Sequence, residues 1–294
     1  MVRVVPLTVL TATGLLLAAA SVVAGQRPRP KATHDRTAVY KTIGEVKLRL
    51  FVYLPKDHKH ADRRPAIVFF FGGGWMGGSP SQFREHARYL ASRGMVALTA
   101  EYRTKRKHGT PPFTCVADAK SAMRWVRANA AKLGVDPGRI VASGGSAGGH
   151  LAAATAFLDG FDEPTDDKTV SPRPNALVLF NPVIDTTEKG YGASRLGDKT
   201  VAFSPVHHVA KGAPPAIVFH GTADKTVPFE NVERFRDRMK AVGARCELVA
   251  FEGKGHGFFN TGREGGAAYR ATVRAADAFL ASLGYLTGPP TLQP

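Results

Sequence analysis

Arg139-Ile-Val-Ala-Ser-Gly-Gly-Ser-Ala-Gly-Gly-His150 is the stretch on which the reading of this chain turns. Ile140 to Ser143 reads as a buried strand, Gly144-Gly-Ser146-Ala-Gly148 as a sharp turn of the form G-x-S-x-G, and the small residues that follow as a helix. A serine at such a strand-to-helix turn is forced into strained backbone geometry with its hydroxyl exposed. Glycines at 144 and 148 fit because a side chain there would collide with the adjoining strand or helix. The helix N-terminus then presents backbone N–H groups and its positive dipole end to any developing negative charge. A glycine-rich loop that merely turns the chain is the competing reading. The order of strand, turn and helix argues against it.

Outward from this turn, strands and helices alternate. Val46 to Leu54, Ala66 to Phe71, Met95 to Thr99, Asn175 to Asn181, Ala216 to His220 and Arg245 to Phe251 carry strand patterns. Ser81 to Arg93, Phe113 to Leu133, His150 to Leu158, Glu230 to Val242 and Tyr269 to Leu283 carry helical ones. Such alternation predicts an α/β fold, a mostly parallel central sheet with helices on both faces. Asp159 to Pro174 is a polar, acidic loop, and the 28 residues from Thr186 to Ala213 predict a small lid. There is no internal repeat. The expected organisation is a signal peptide at 1–25, a flexible leader at 26–37, one catalytic domain at 38–286 and a tail at 287–294.

A serine hydroxyl is a weak nucleophile until a base takes its proton and a third group orients that base. Downstream of Ser146, Asp224 follows the apolar run Ala216-Ile-Val-Phe-His220, and His256 lies in a glycine-flanked loop after Leu248-Val-Ala-Phe251. The chain order Ser, Asp, His is that of α/β-hydrolases. Other candidates are weaker. Ser143 and Ser79 lack the turn; His220 sits inside the Asp224 segment and reads as structural. His207 and His208 fall in the lid, where surface or substrate contact is the default. Asp185 is the rival acid, and Glu101 reads as a structural partner of Arg103 or nearby loops.

With these residues in place, the chain resembles the α/β-hydrolase superfamily from about Val46 to Leu283. Within it the resemblance is to the esterase and lipase branch that includes hormone-sensitive-lipase-like enzymes, acetyl esterases and feruloyl-esterase-like proteins. Phe71-Gly-Gly-Gly-Trp75 is similar to the His-Gly-Gly-Gly segment that supplies oxyanion donors, Gly144 to Gly149 to the nucleophile elbow, and the Asp224 and His256 segments to the acid and base loops. The resemblance implies two-step acyl transfer with Ser146 as nucleophile, His256 as base and Asp224 as its orienter. It also implies an oxyanion hole from the backbone N–H groups of Gly73, Gly74 and Ala147, with no cofactor and no metal. Trp75 is a candidate for lining the acyl pocket. Two residues depart from the pattern: Phe71 stands where the family has His, and Gly145 where many relatives have Asp. The first requires packing or other donors to shape the oxyanion loop.

The formal charge of +16 is spread along the chain, and no nucleic-acid module signature accompanies it. Arg3 followed by an apolar run to Val23 and the small residues Val23-Ala24-Gly25 read as a secretory signal, with an uncleaved anchor as the alternative. After cleavage no stable membrane insertion is expected. Export to a secreted or periplasmic location permits a disulfide between Cys115 and Cys246, and unpaired buried thiols remain the equal alternative. The expected function is a secreted carboxylesterase for short acyl groups, acting on small-molecule or polysaccharide esters such as acetylated sugars. A serine peptidase of prolyl-oligopeptidase type and a non-catalytic binding protein on the same scaffold are the other readings.

Overall fold

The computed structural model describes residues 34–293. The expected signal peptide at 1–25 and most of the expected leader lie outside the described residues. Eight strands form one sheet: β1 (Arg36–Ile43), β2 (Val46–Tyr53), β3 (Arg64–Phe70), β4 (Val96–Ala100), β5 (Val135–Gly145), β6 (Ala176–Phe180), β7 (Ala216–Gly221) and β8 (Cys246–Phe251). Their order across the sheet is β1-β2-β4-β3-β5-β6-β7-β8. The β1–β2 and β2–β4 pairs are antiparallel, and every pair from β4 to β8 is parallel. This is the mostly parallel sheet of an α/β-hydrolase.

Among the described residues seven α-helices accompany the sheet: α1 (Arg84–Ser92), α2 (Lys105–His108), α3 (Pro112–Ala128), α4 (Ala130–Leu133), α5 (Ala147–Phe157), α6 (Phe229–Ala241) and α7 (Ala267–Ser282). Successive strand residues point to opposite faces, so β3 divides its side chains between two cores. Ala66, Val68 and Phe70 join the apolar faces of α3, α5 and α6 on one side. Ile67 and Phe69 join those of α1 and α7 on the other. Both faces are covered, as near-continuous apolar strands require.

Three differences from the sequence reading have identifiable causes. The polar segment Arg36–Ile43 is a strand, not the end of a leader: it is an edge strand paired on one side, with only Tyr40 buried. The expected helix Phe113 to Leu133 breaks at Asn129, whose side-chain amide donates to the Trp125 carbonyl (2.9 Å). Glu101 does not pair with Arg103. It leaves β4 beside β2 and takes a two-pronged bond from Arg49 of that strand (2.8 Å on each oxygen). Both cysteines are free thiols, and burial pushes the Cys246 thiol up to about 12.

Arg103 instead enters an ion network that pins the acidic loop after α5 to α3. Asp118, fully buried on α3, accepts from Arg103 and Lys41 (2.7 Å each), and Glu163 of the loop contacts the same two cations (2.8 and 2.5 Å). Removing one member of a buried ionic group strands the others and costs about 3–5 kcal/mol. Because Glu163 still touches both cations, Asp118→Ala should fall at the low end, about 3 kcal/mol. Urea unfolding followed by circular dichroism measures it; a loss under 1 kcal/mol would contradict the network's role.

Candidate active site

The turn at Ser146 is built by the glycines around it. Ser146 has φ 55° and ψ −122°, between the end of β5 and the first residue of α5. A Cβ on Gly144 would lie 2.3 Å from the Gly148 carbonyl oxygen, and one on Gly148 would lie 2.0 Å from that of Phe70. Neither position admits a side chain. Strain of this kind costs on the order of 1–3 kcal/mol and persists only where the surroundings over-determine it. They do so here: the Ser146 N–H donates to the Phe180 carbonyl (3.0 Å), and its own carbonyl accepts from Val183 and His150.

Asp224 and His256 arrive from the loops after β7 and β8. His256 Nε2 lies 2.8 Å from Ser146 Oγ, and His256 Nδ1 lies 2.7 Å from Asp224 Oδ2. The carboxylate is wholly buried while the imidazole keeps about a quarter of its surface. Asp224 Oδ1 accepts from the backbone N–H groups of Thr226 (2.8 Å) and Val227 (3.0 Å). Burial opposes a charge on Asp224. Hydrogen bonds from His220, His256 and the Val227 N–H outweigh it and hold the carboxyl far below the ordinary carboxylate range. An ionised Asp224 puts the His256 proton on Nδ1, leaving Nε2 to accept the Ser146 hydroxyl proton.

None of the competing residues contacts Ser146 or His256 by a hydrogen bond. Ser143 is buried and donates to the Val178 carbonyl (2.7 Å), and Ser79 pairs with Ser81. His220, fully buried, sets Nε2 against the Val227 carbonyl (2.9 Å) and lies 3.4 Å from Asp224. Asp185 is held by Arg234 (2.7 Å) and Thr187, while His207 and His208 bond Ser204 and the Val201 carbonyl.

The Gly72–Gly74 loop passes beside Ser146: a Cβ on Gly72 would lie 3.3 Å from that of Ser146. Gly73 and Gly74 take φ 129° and 61°, conformations that favour glycine. The absent histidine is replaced as the chemistry demands. Phe71 stacks on Tyr102 at 4.0 Å, the Tyr102 hydroxyl donates to the Phe71 carbonyl (2.6 Å), and the Gly72 N–H donates to Gln82 Oε1 (2.6 Å). From the lid, Arg195 donates to the Gly74 carbonyl (2.8 Å). Trp75 is buried against His150, Tyr191 and Phe203, so it braces the loop from behind. Ala147 opens α5, where the first backbone N–H groups have no partner within the helix.

Sequence reasoning missed Asn181, Gln82, Asn260 and Arg195. Asn181 is buried at φ 31°, accepts from the Gly257 N–H (3.0 Å) and sets its amide nitrogen 3.5 Å from His256 Nε2. Its position directly after a central strand was the one signal available. Among the described residues no group of three or more His, Cys, Asp or Glu is placed to hold a metal ion, and no helix is long and apolar enough to cross a membrane.

The chain is similar to known esterases. Esterase 2 of Thermogutta terrifontis, solved as the paraoxon-phosphorylated form, is 53% identical with a TM-score of 0.84, covering 89% of this chain and 99% of that one. The same esterase solved with propionate bound is 52% identical, with the same TM-score and coverage. Esterase LipC of Mycobacterium tuberculosis is 29% identical over 219 residues, 66% of this chain and 53% of LipC. The chain thus spans about half the length of the first curated relatives it matches. The model of the BD-FAE family matches residues 50–239. Sheet order, the strand-turn-helix at Ser146 and the family match point the same way: the chain belongs to the BD-FAE family of α/β-hydrolases.

Proposed function

We propose that the protein is a serine carboxylesterase for short-acyl esters, with Ser146, His256 and Asp224 as its catalytic triad. The unbroken chain Ser146 Oγ, His256 Nε2, His256 Nδ1, Asp224 Oδ2, at 2.8 and 2.7 Å, carries this reading. Ser146 attacks the ester carbonyl as His256 takes its proton, and the carbonyl electron pair moves onto oxygen. Gly73, Gly74 and Ala147 N–H groups bind that oxyanion, each donor contributing about 10²–10³ in rate. The intermediate collapses, His256 protonates the departing alkoxide, and the acyl group stays on Ser146. Water, deprotonated by His256, then releases the acid and restores the serine.

Short acyl groups are supported by the propionate-bound Thermogutta esterase. Acetyl esters of sugars or polysaccharides are the first candidates. A lid of 28 residues leaves room for a bulky alcohol, and the signal segment at 1–25 reads as an export signal toward substrates outside the cytoplasm. Hydrolysis of p-nitrophenyl acetate, propionate and butyrate by the purified chain is the direct test. Turnover falling with acyl length is expected, and inactivity on all three would sink the reading. Acetate release from acetylated xylan and pectin addresses the natural alcohol.

A further inference from the structure

The proposed oxyanion loop leaves β3 and the His256 loop leaves β8, four strands away in the sheet. At about 4.8 Å per strand their roots are roughly 19 Å apart, and no backbone ladder joins them. Acyl transfer nevertheless needs both loops placed to a fraction of an ångström around one carbonyl.

A continuous set of hydrogen bonds spans this gap. The Gly72 N–H donates to Gln82 Oε1 (2.6 Å), and Gln82 Nε2 donates to Asn260 Oδ1 (3.0 Å). Asn260 Nδ2 donates to the carbonyl of Gly257, the residue after His256 (2.8 Å). The Gly257 N–H donates to Asn181 Oδ1 (3.0 Å). Each of Gln82 and Asn260 uses its carbonyl in one direction and its amide in the other, so neither can flip without breaking a link.

A second contact runs parallel. Phe83 and Phe259, the chain neighbours of Gln82 and Asn260, stack at 5.7 Å, both buried. A Cβ on Gly145 would lie 2.5 Å from the Phe259 ring and 3.3 Å from that of Phe83. Gly145, the residue before Ser146, therefore makes room for this clamp.

We propose that Gln82 and Asn260 are positioning residues that hold the oxyanion loop and the His256 loop in one register. This rests on the esterase reading above. Gln82 consumes the Gly72 N–H, leaving Gly73 and Gly74 to face the oxyanion, while Asn260 fixes the peptide next to the base. Neither side chain touches the reacting atoms.

The experiment compares the full chain with Gln82→Met, Asn260→Leu and the double variant on p-nitrophenyl acetate. Rates are counted per active site by fluorophosphonate titration, so partial misfolding does not register. Each single change should lower kcat about 10- to 100-fold with KM within about twofold. The double variant should be no slower than the worse single, because both break the same bridge. Singles within twofold of wild type per site, or a double loss equal to the product of the two, would overturn the proposal. If Asn260→Leu does not fold, Asn260→Ser takes its place. The rate of fluorophosphonate labelling is read as well. It needs both loops but no ester, so a wild type that labels yet cleaves no ester defeats the esterase reading while the same fall in labelling rate still tests the bridge.

Discussion

Replacing Ser146 by alanine is expected to lower kcat/KM for p-nitrophenyl acetate by about 10⁵- to 10⁶-fold, the scale on which a triad fails when its nucleophile is removed. The substitution deletes the hydroxyl that faces His256 Nε2 and leaves the proposed oxyanion donors, His256 and Asp224 in place. Whatever activity survives reports those remaining groups, typically 10³–10⁴ over water. Stability should change by less than about 1 kcal/mol, because the hydrogen bonds that hold the turn come from the Ser146 backbone. A Ser146→Ala, His256→Ala double variant should be no slower than the worse single, since the two act as a unit. The readout is steady-state kinetics with active-site labelling by a fluorophosphonate, which should vanish in Ser146→Ala. Residual activity above about 1% of wild type would mean that another nucleophile does the work. The nearest in sequence, Ser143, is buried and committed to the Val178 carbonyl.

How far the sequence alone carries this picture depends on the range of each interaction. The turn at Ser146 is legible because its cause is local: Gly144 and Gly148 lie within two residues of Ser146 and exclude side chains by contact with the adjoining backbone. Strands such as Ala66 to Phe70 are legible because parallel strands covered on both faces must be apolar throughout. The β1 segment is not, since an edge strand that buries only Tyr40 has the composition of a leader. Long-range polar partners are hidden altogether. Gln82 and Asn260 are 178 residues apart, and nothing near either marks it as half of a pair. Glu101 reads as a partner of Arg103 or nearby loops, whereas the residue it bonds, Arg49, lies on the neighbouring strand. Side-chain amides near the site are the blind spot, because a Gln or Asn acquires its role only from groups that the fold brings to it.

Asp224→Asn is expected to cost about 10³- to 10⁴-fold in kcat, somewhat less than losing the nucleophile. The size follows from which way the new amide must point. Asp224 Oδ1 accepts two backbone N–H bonds, from Thr226 and Val227, so an asparagine keeps its oxygen there and turns its NH₂ toward His256. An NH₂ facing Nδ1 must donate, which drives the imidazole proton to Nε2, where it faces Ser146 and blocks proton acceptance. Geometry survives and the tautomer is wrong. Asp185→Asn gives the contrast: Asp185 bonds Arg234 and Thr187 rather than His256, so kcat should change by less than about threefold. A greater loss at 185 than at 224 would reverse the assignment. The pH dependence has a definite sign. Because the folded pKa of Asp224 is depressed, its stabilising contribution is complete above the unfolded value of about 3.9 and is lost only as pH falls through the lower, folded value. In Asp224→Asn the acid unfolding curve should become shallower below pH 4, since that proton uptake is gone. Urea midpoints measured from pH 2.5 to 7 decide it, and an unchanged acid slope would show that Asp224 carries no such linkage.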